Sequence, residues 1–304
     1  MNIVLKWSIF NRQAGFLTEI VSIMDTQPIG QAIRERIALR EMARLQVHFL
    51  QRLHGVLLGE QLVFRGGSAL HGVYLHKRWS KDLDFFAPVD VASRIRESAA
   101  ENGLLLEEPM RREEDDYAER GGGRDPNKRP DGTLSVFASP GTVYARVEIR
   151  VDVCNRDNTL FPTEERLFVP LHGAPVPVRV QRLSELMADK FGCTLRRSKP
   201  MDFSDLWLGL NAHQELWNEI RFVMEHKNCG PYDIVPLQTF TAGAALANLD
   251  KARETWDEKL GKAMSSFPAY DTVRQDLTQW LPFFNMRNDQ EEHIDELYGR
   301  ERAQ

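Results

Sequence analysis

From position 28 to 54, apolar residues recur at three- and four-residue steps (Ile29, Ile33, Ile37, Met42, Leu45, Phe49, Leu50, Leu53) with Arg and Glu between them. That period predicts one long amphipathic helix ending near Gly55. The pattern then shortens. Leu62-Val63-Phe64 reads as a buried strand, Gly66-Gly67 interrupts it, and Ser68 to Leu75 suggests a short helix. Asp82-Leu83-Asp84-Phe85-Phe86 alternates polar and apolar, which predicts a strand with both carboxylates on one face.

Further along, 90–103 reads as helix and 111–132 as a charged, glycine-rich loop. Strands are expected over 133–138 and 142–153, joined by the Ser139-Pro140-Gly141 turn, and again over 176–180. Helices follow over 183–197, 202–226, 239–262 and from 271 onward. The order implies an α+β protein: a helical lead-in and a mixed sheet with flanking helices in residues 1–199, then a helical C-terminal domain in 200–304.

Composition narrows the class without choosing a function. At 304 residues and 42% hydrophobic content the chain is long enough to bury a sizeable core. No window reaches the roughly 18 uncharged apolar residues of a membrane span. The opening MNIVLKWSIF is short and runs into Asn11, Arg12 and Gln13, so it is read as a first strand or docked segment, and the protein as cytoplasmic. Cys154, Cys193 and Cys229 are far apart and form neither a disulfide framework nor a zinc motif. A net charge of −5 gives no global attraction to nucleic acid, so any RNA contact needs a local basic patch. The loop at 111–132 mixes Arg111, Arg112, Arg124, Lys128 and Arg129 with Glu113, Glu114, Asp115 and Asp116; it is ordinarily solvated, or contacts an RNA backbone. Trp207, Trp217, Trp256 and Trp280 fall at helical positions and are expected in the core.

The chemistry lies in 66–84. Gly66 and Gly67 allow main-chain N–H groups close to phosphate, and Ser68 is placed to cap the next helix. Fourteen residues later Asp82 and Asp84 converge on one point, as magnesium requires of its oxygen ligands. Singly these pieces are weak, since Asp-x-Asp on a strand is more often a solvated edge. In this order they point to nucleotidyl transfer, with two Mg²⁺ ions and a bound NTP. Glu148 and Asp152, on the polar face of one predicted strand, are both candidates for a third metal ligand, and Ser80 stands two residues before Asp82.

The segment FRGGSALHGVYLHKRWSKDLDFF resembles the first motif of the DNA polymerase β-like nucleotidyltransferase superfamily, and in detail the AbiEii/AbiGii branch, the type IV toxins that include the MenT proteins. Arg146-Val147-Glu148-Ile149 resembles that branch's next strand and favours Glu148, with Asp152 left open. The helix through Lys190 to Arg197, then Asp202-Phe203-Ser204-Asp205-Leu206, resembles its later signature, except that Met201 stands where arginine is usual. The resemblance implies that Lys190, with Arg197 near it on the helix, binds nucleotide phosphates and that Asp205 helps order the site. It also implies transfer of an NMP to an acceptor, the 3′ end of tRNA, which blocks translation, and a cognate antitoxin from a neighbouring gene. Without it, Lys190 reads as a solvated helix lysine and Asp205 as an acid in a helix's first turn. Two other functions remain open: a non-catalytic nucleotide- or partner-binding protein, and a small-molecule transferase of the aminoglycoside-modifying kind.

Overall fold

Short runs of β-branched and aromatic residues nucleate a central sheet, and longer apolar periods supply the helices that cover it. In the computed structural model the described residues are 39–51 without 41, 62–80, 82–87, 105–107, 134–139, 149–154, 159–227 and 236–286; three of the strands (105–107, 134–139 and 149–154) are described as backbone alone. Several expectations lie outside these residues: the opening segment, the start of the first helix, the helix at 90–103, the loop at 111–132, and Glu148 with the start of its strand.

Seven strands form one sheet: β1 Val63–Arg65, β2 Leu83–Phe86, β3 Leu105–Glu107, β4 Leu134–Ser139, β5 Ile149–Cys154, β6 Glu164–Phe168 and β7 Val176–Val180, in the order β3-β4-β5-β2-β1-β7-β6. The sheet is mixed. β2 runs antiparallel to β1 and parallel to β5, while β1 runs parallel to β7. β3 and β6 were not expected from the sequence. β3 has only three residues, and β6 is an edge strand in which Phe168 alone is fully buried, so neither carries the alternation that marks a strand.

Helix α1 covers 42–51. Helix α2, Gly66–Ala69, widens into a π turn over Leu70–Leu75 and stops at His76, whose φ of 51° is left-handed. A β-carbon on Gly72 would overlap the Phe168 ring, so glycine there lets the turn lie against β6.

Helix α3, Leu183–Arg196, is the axis of the second half, and every residue from Leu183 to Thr194 is buried. Helices α4 (Pro200–Ala212), α5 (Trp217–His226) and α6 (Ala242–Ala252) pack around it. The single helix expected over 202–226 breaks at His213, where φ −136° and ψ 55° leave helical geometry. The break lets α4 and α5 both contact α3; an unbroken helix of that length would run about 37 Å and leave it. The expected helix over 239–262 likewise divides, at a tight turn Arg253–Thr255, into α6 and α7 (Trp256–Ala263). Helix α8 covers Tyr270–Trp280.

One apolar cluster runs from Phe49 and Phe64 through Phe191 to Trp256 and Phe284. Trp256 is buried, and Trp207, Trp217 and Trp280 pack against this cluster, as the sequence suggested. Cys193 is a buried free thiol. No helix among the described residues is long and apolar enough to cross a membrane.

Candidate active site

The two strands β1 and β2 meet so that Arg65 pairs with Asp84, and Asp84 in turn pairs with Asp152 of β5. Acidic positions on two adjacent strands therefore stand side by side at the end of β1 where the glycines begin. Asp82 and Asp84 are half-buried. Gly66 adopts φ +72°, and a β-carbon there would overlap the Asp84 carboxylate, so glycine at 66 is what lets the turn and the acid share this space.

Ser68 has a different position from the one its sequence context suggested. Helix α2 starts at Gly66, Arg65 occupies the cap position, and no side chain caps it. The Ser68 side chain is buried and its hydroxyl donates to the main-chain oxygen of Asp82, with the Ser80 oxygen 3.4 Å away. Ser68 thus ties the glycine turn to the entry of the acidic strand. Gln46 of α1 adds a second tie: its amide nitrogen donates to the Ser80 oxygen at 2.7 Å, and its amide oxygen accepts from the Trp79 indole at 3.0 Å. The Ser80 side chain is turned to Gly67, its hydroxyl 3.5 Å from where a β-carbon on Gly67 would stand.

Beyond the acids lies a dense ionic cluster. Lys190 of α3 reaches Asp205 at 2.8 Å and Asp202 at 3.1 Å, both from α4. Two of its three N–H donors are thereby spent on carboxylates. Arg197 is held on Asp202 through Nε at 2.6 Å and Nη2 at 3.0 Å. Asp205 also accepts a fork from Arg78, with Nε at 2.8 Å and Nη2 at 2.7 Å, and a contact from His71 Nε2 at 2.7 Å.

The charge states follow from this packing. Burial works against ionisation of Asp202, but the Lys190 and Arg197 charges overcome it and hold the carboxyl at about 2. Burial likewise opposes Asp205, and Arg78, Lys190 and His71 hold its carboxyl well below the usual range. Lys190 is driven up from its ordinary value by the same two aspartates despite its burial. Burial dominates at His71 and lowers its pKa, so the ring is neutral.

A third group ties the end of β1 to the helices. The Arg65 guanidinium lies 3.8 Å above the Phe86 ring centre and reaches Asp189 of α3 at 3.4 Å. Asp189 accepts from Lys227, just past α5, at 2.8 Å. The turn that carries Gly66 is therefore fixed from β2, α3 and α5 together.

The structure brings together Gly66, Gly67, Ser68, Ser80, Asp82 and Asp84 in one group, and Lys190, Arg197, Asp202 and Asp205 in the next. Asp152 enters by register. His71 and Gln46 carried no local signal in the sequence, because their partners stand 134 and 34 residues away. Arg78 was visible only as part of its motif.

A profile of the family described as "Nucleotidyl transferase AbiEii toxin, Type IV TA system" matches residues 48–279, about three quarters of the chain and all of this site but Gln46. The chain belongs to the AbiEii family. It is accordingly a nucleotidyltransferase of the AbiEii/MenT toxin type, a membership that implies an NTP substrate and an antitoxin partner. Among solved structures it is similar to MenT4, the nucleotidyltransferase toxin Rv2826c from Mycobacterium tuberculosis H37Rv, with TM-score 0.54 and 17% identity over 90% of this chain and 92% of that one. That likeness speaks for the fold: a mixed sheet with flanking helices and a helical C-terminal part, as expected from the sequence. JHP933 from Helicobacter pylori aligns over 86% of this chain and 97% of its own, with 14% identity and TM-score 0.40. No curated protein sequence matches.

Proposed function

We propose that this AbiEii-type enzyme transfers an NMP from an NTP to the 3′ end of a tRNA, in the cytoplasm, and so blocks translation until a cognate antitoxin counters it. The observation that carries the reaction type is the meeting of Gly66 and Asp84: a glycine turn able to present main-chain N–H groups to a triphosphate touches an acid of the Asp-x-Asp strand.

The residues present suit magnesium. Asp82 and Asp84 offer hard carboxylate oxygens from one strand end, the Asp84 carboxylate in space that a β-carbon on Gly66 would fill. Asp152 stands beside Asp84 in the register, which favours it as the third ligand, while Glu148 lies outside the described residues. When bound, magnesium supplies the positive charge that neutralises the phosphoryl oxygens.

The other roles belong to the chain itself. Gly66 and Gly67 receive the phosphates, while Lys190 has one N–H donor beyond those engaged by Asp202 and Asp205 and directs it at the triphosphate. Ser80 faces Gly67 at the edge of the same turn. Arg197 serves by holding Asp202, and thus Lys190, rather than by reaching the nucleotide.

Incubating the purified chain with Mg²⁺, total RNA and each α-³²P-labelled NTP in turn tests this reading. Label is expected in the tRNA fraction, and periodate oxidation of the RNA, which destroys the terminal diol, is expected to abolish it. Label that survives periodate would place the acceptor elsewhere, and absence of label with all four NTPs would remove the transfer reading.

A further inference from the structure

Asp205 has no lone pair to spare. Its Oδ1 receives His71 Nε2 at 2.7 Å and Arg78 Nε at 2.8 Å, and its Oδ2 receives Arg78 Nη2 at 2.7 Å and Lys190 Nζ at 2.8 Å. A carboxylate offers about four acceptor positions, and here each is filled on a side chain that is 0% exposed. A group so placed cannot take a proton from an acceptor hydroxyl. It can only hold its donors.

The donors are built for that purpose. A neutral His71 gives its single N–H to Asp205, and burial at 1% exposure prevents it from turning to solvent. The planar fork of Arg78 grips both carboxylate oxygens, a geometry that lysine cannot reproduce. The same guanidinium backs the glycine turn, since a β-carbon on Gly67 would stand 2.9 Å from Nη2. One carboxylate thus links the back of the phosphate-facing turn to the Lys190 ammonium.

We propose that His71 and Arg78 are positioning residues for nucleotidyl transfer. Acting through Asp205, they fix Lys190 and the Gly66–Gly67 turn in the one relative geometry that receives the triphosphate. The proposal rests on the transfer reading above. Its energetic weight comes from orientation: a displacement of about 1 Å in such a group costs on the order of a hundredfold in rate.

The test uses the full chain, Mg²⁺, total RNA and the α-³²P-labelled NTP that wild type incorporates best, with KM, kcat and Tm measured for His71→Leu, His71→Gln and Arg78→Lys. His71→Leu and Arg78→Lys are expected to raise KM for the NTP at least tenfold and to lower kcat. Glutamine, whose amide N–H can stand where imidazole Nε2 stands, is expected to recover most of both. Should His71→Leu fail to fold, His71→Asn, whose amide falls short of Asp205, takes its place with the same expected loss. KM and kcat within twofold of wild type for His71→Leu and Arg78→Lys, with only Tm lowered, would overturn the proposal, as would equal losses in His71→Leu and His71→Gln. A wild type that labels nothing would instead overturn the transfer reading beneath it.

Discussion

Gly66 and Asp84 occupy space that only a residue without a side chain could share: a β-carbon at 66 would overlap the Asp84 carboxylate, and the φ of +72° at Gly66 is one that L side chains resist. The turn and the acidic strand are thus a single device, although seventeen residues separate them.

Gly66→Ala should therefore damage chemistry more than stability. The backbone strain costs roughly 1–2 kcal/mol, a shift in Tm of roughly 2–3 °C for a chain of this size. Displacing Asp84 should lower NMP transfer on the order of a hundredfold. Steady-state kinetics beside a thermal melt checks this; an alanine variant with wild-type turnover would show that Asp84 does not need the position described.

The neutral state of His71 gives stability a sign with pH. Burial lowers its pKa from 6.5, with the Arg78 and Lys190 charges adding to that and Asp205 opposing it. Below about 6.5 the unfolded chain takes up a proton that the folded ring refuses, so stability falls as pH drops from there to the folded pKa. Urea melts between pH 7 and 5 should show a smaller slope for His71→Gln than for wild type. An unchanged slope would mean that the ring is charged in the fold.

Asp202 contributes at lower pH. Its carboxyl is held at about 2 against an ordinary 3.8. That contribution is complete above about pH 4 and lost as pH falls toward 2, and amounts to about 2 kcal/mol. Arg197→Met, which removes one of the two cations on Asp202, should shrink it; hydrogen-ion uptake on unfolding between pH 4 and 2 measures the change.

Packing far from the acids also supports them. Phe284 is buried with its ring centre 4.6 Å from that of Phe191, the residue after Lys190 on α3. Phe284→Ala is expected to cost about 3–5 kcal/mol, read by chemical denaturation. A loss below 1 kcal/mol would show that the turn Leu281–Phe284 does not support α3.

What the sequence disclosed was local. Gly66, Gly67, Asp82, Asp84, Lys190 and Asp205 lie in short ordered patterns whose spacing carries meaning, and β1, β2, β4, β5 and β7 announce themselves by alternation or apolar runs. Contacts across the chain leave no such trace: His71 meets Asp205, and Arg65 meets Asp189, only after the sheet and α3 have docked. The breaks at His213 and Arg253 were hidden because the apolar period continues through both; packing of α4 and α5 on α3, and of α7 on α4, turns the chain there, not a proline or glycine. Ser68 misled because a serine after two glycines looks like a cap, whereas the helix begins at the first glycine and turns its hydroxyl toward Asp82.

We propose that the Asp82/Asp84 strand carries out the transfer. The comparison that bears on this is wild type against Asp82→Asn and Asp84→Asn, changes that remove charge and keep shape, in the transfer of α-³²P-labelled NMP to RNA across a magnesium titration. Wild type is expected to show magnesium-dependent label and both variants a loss of at least a hundredfold that added magnesium does not restore. Either variant transferring label at the wild-type rate, with folding intact, would contradict the claim.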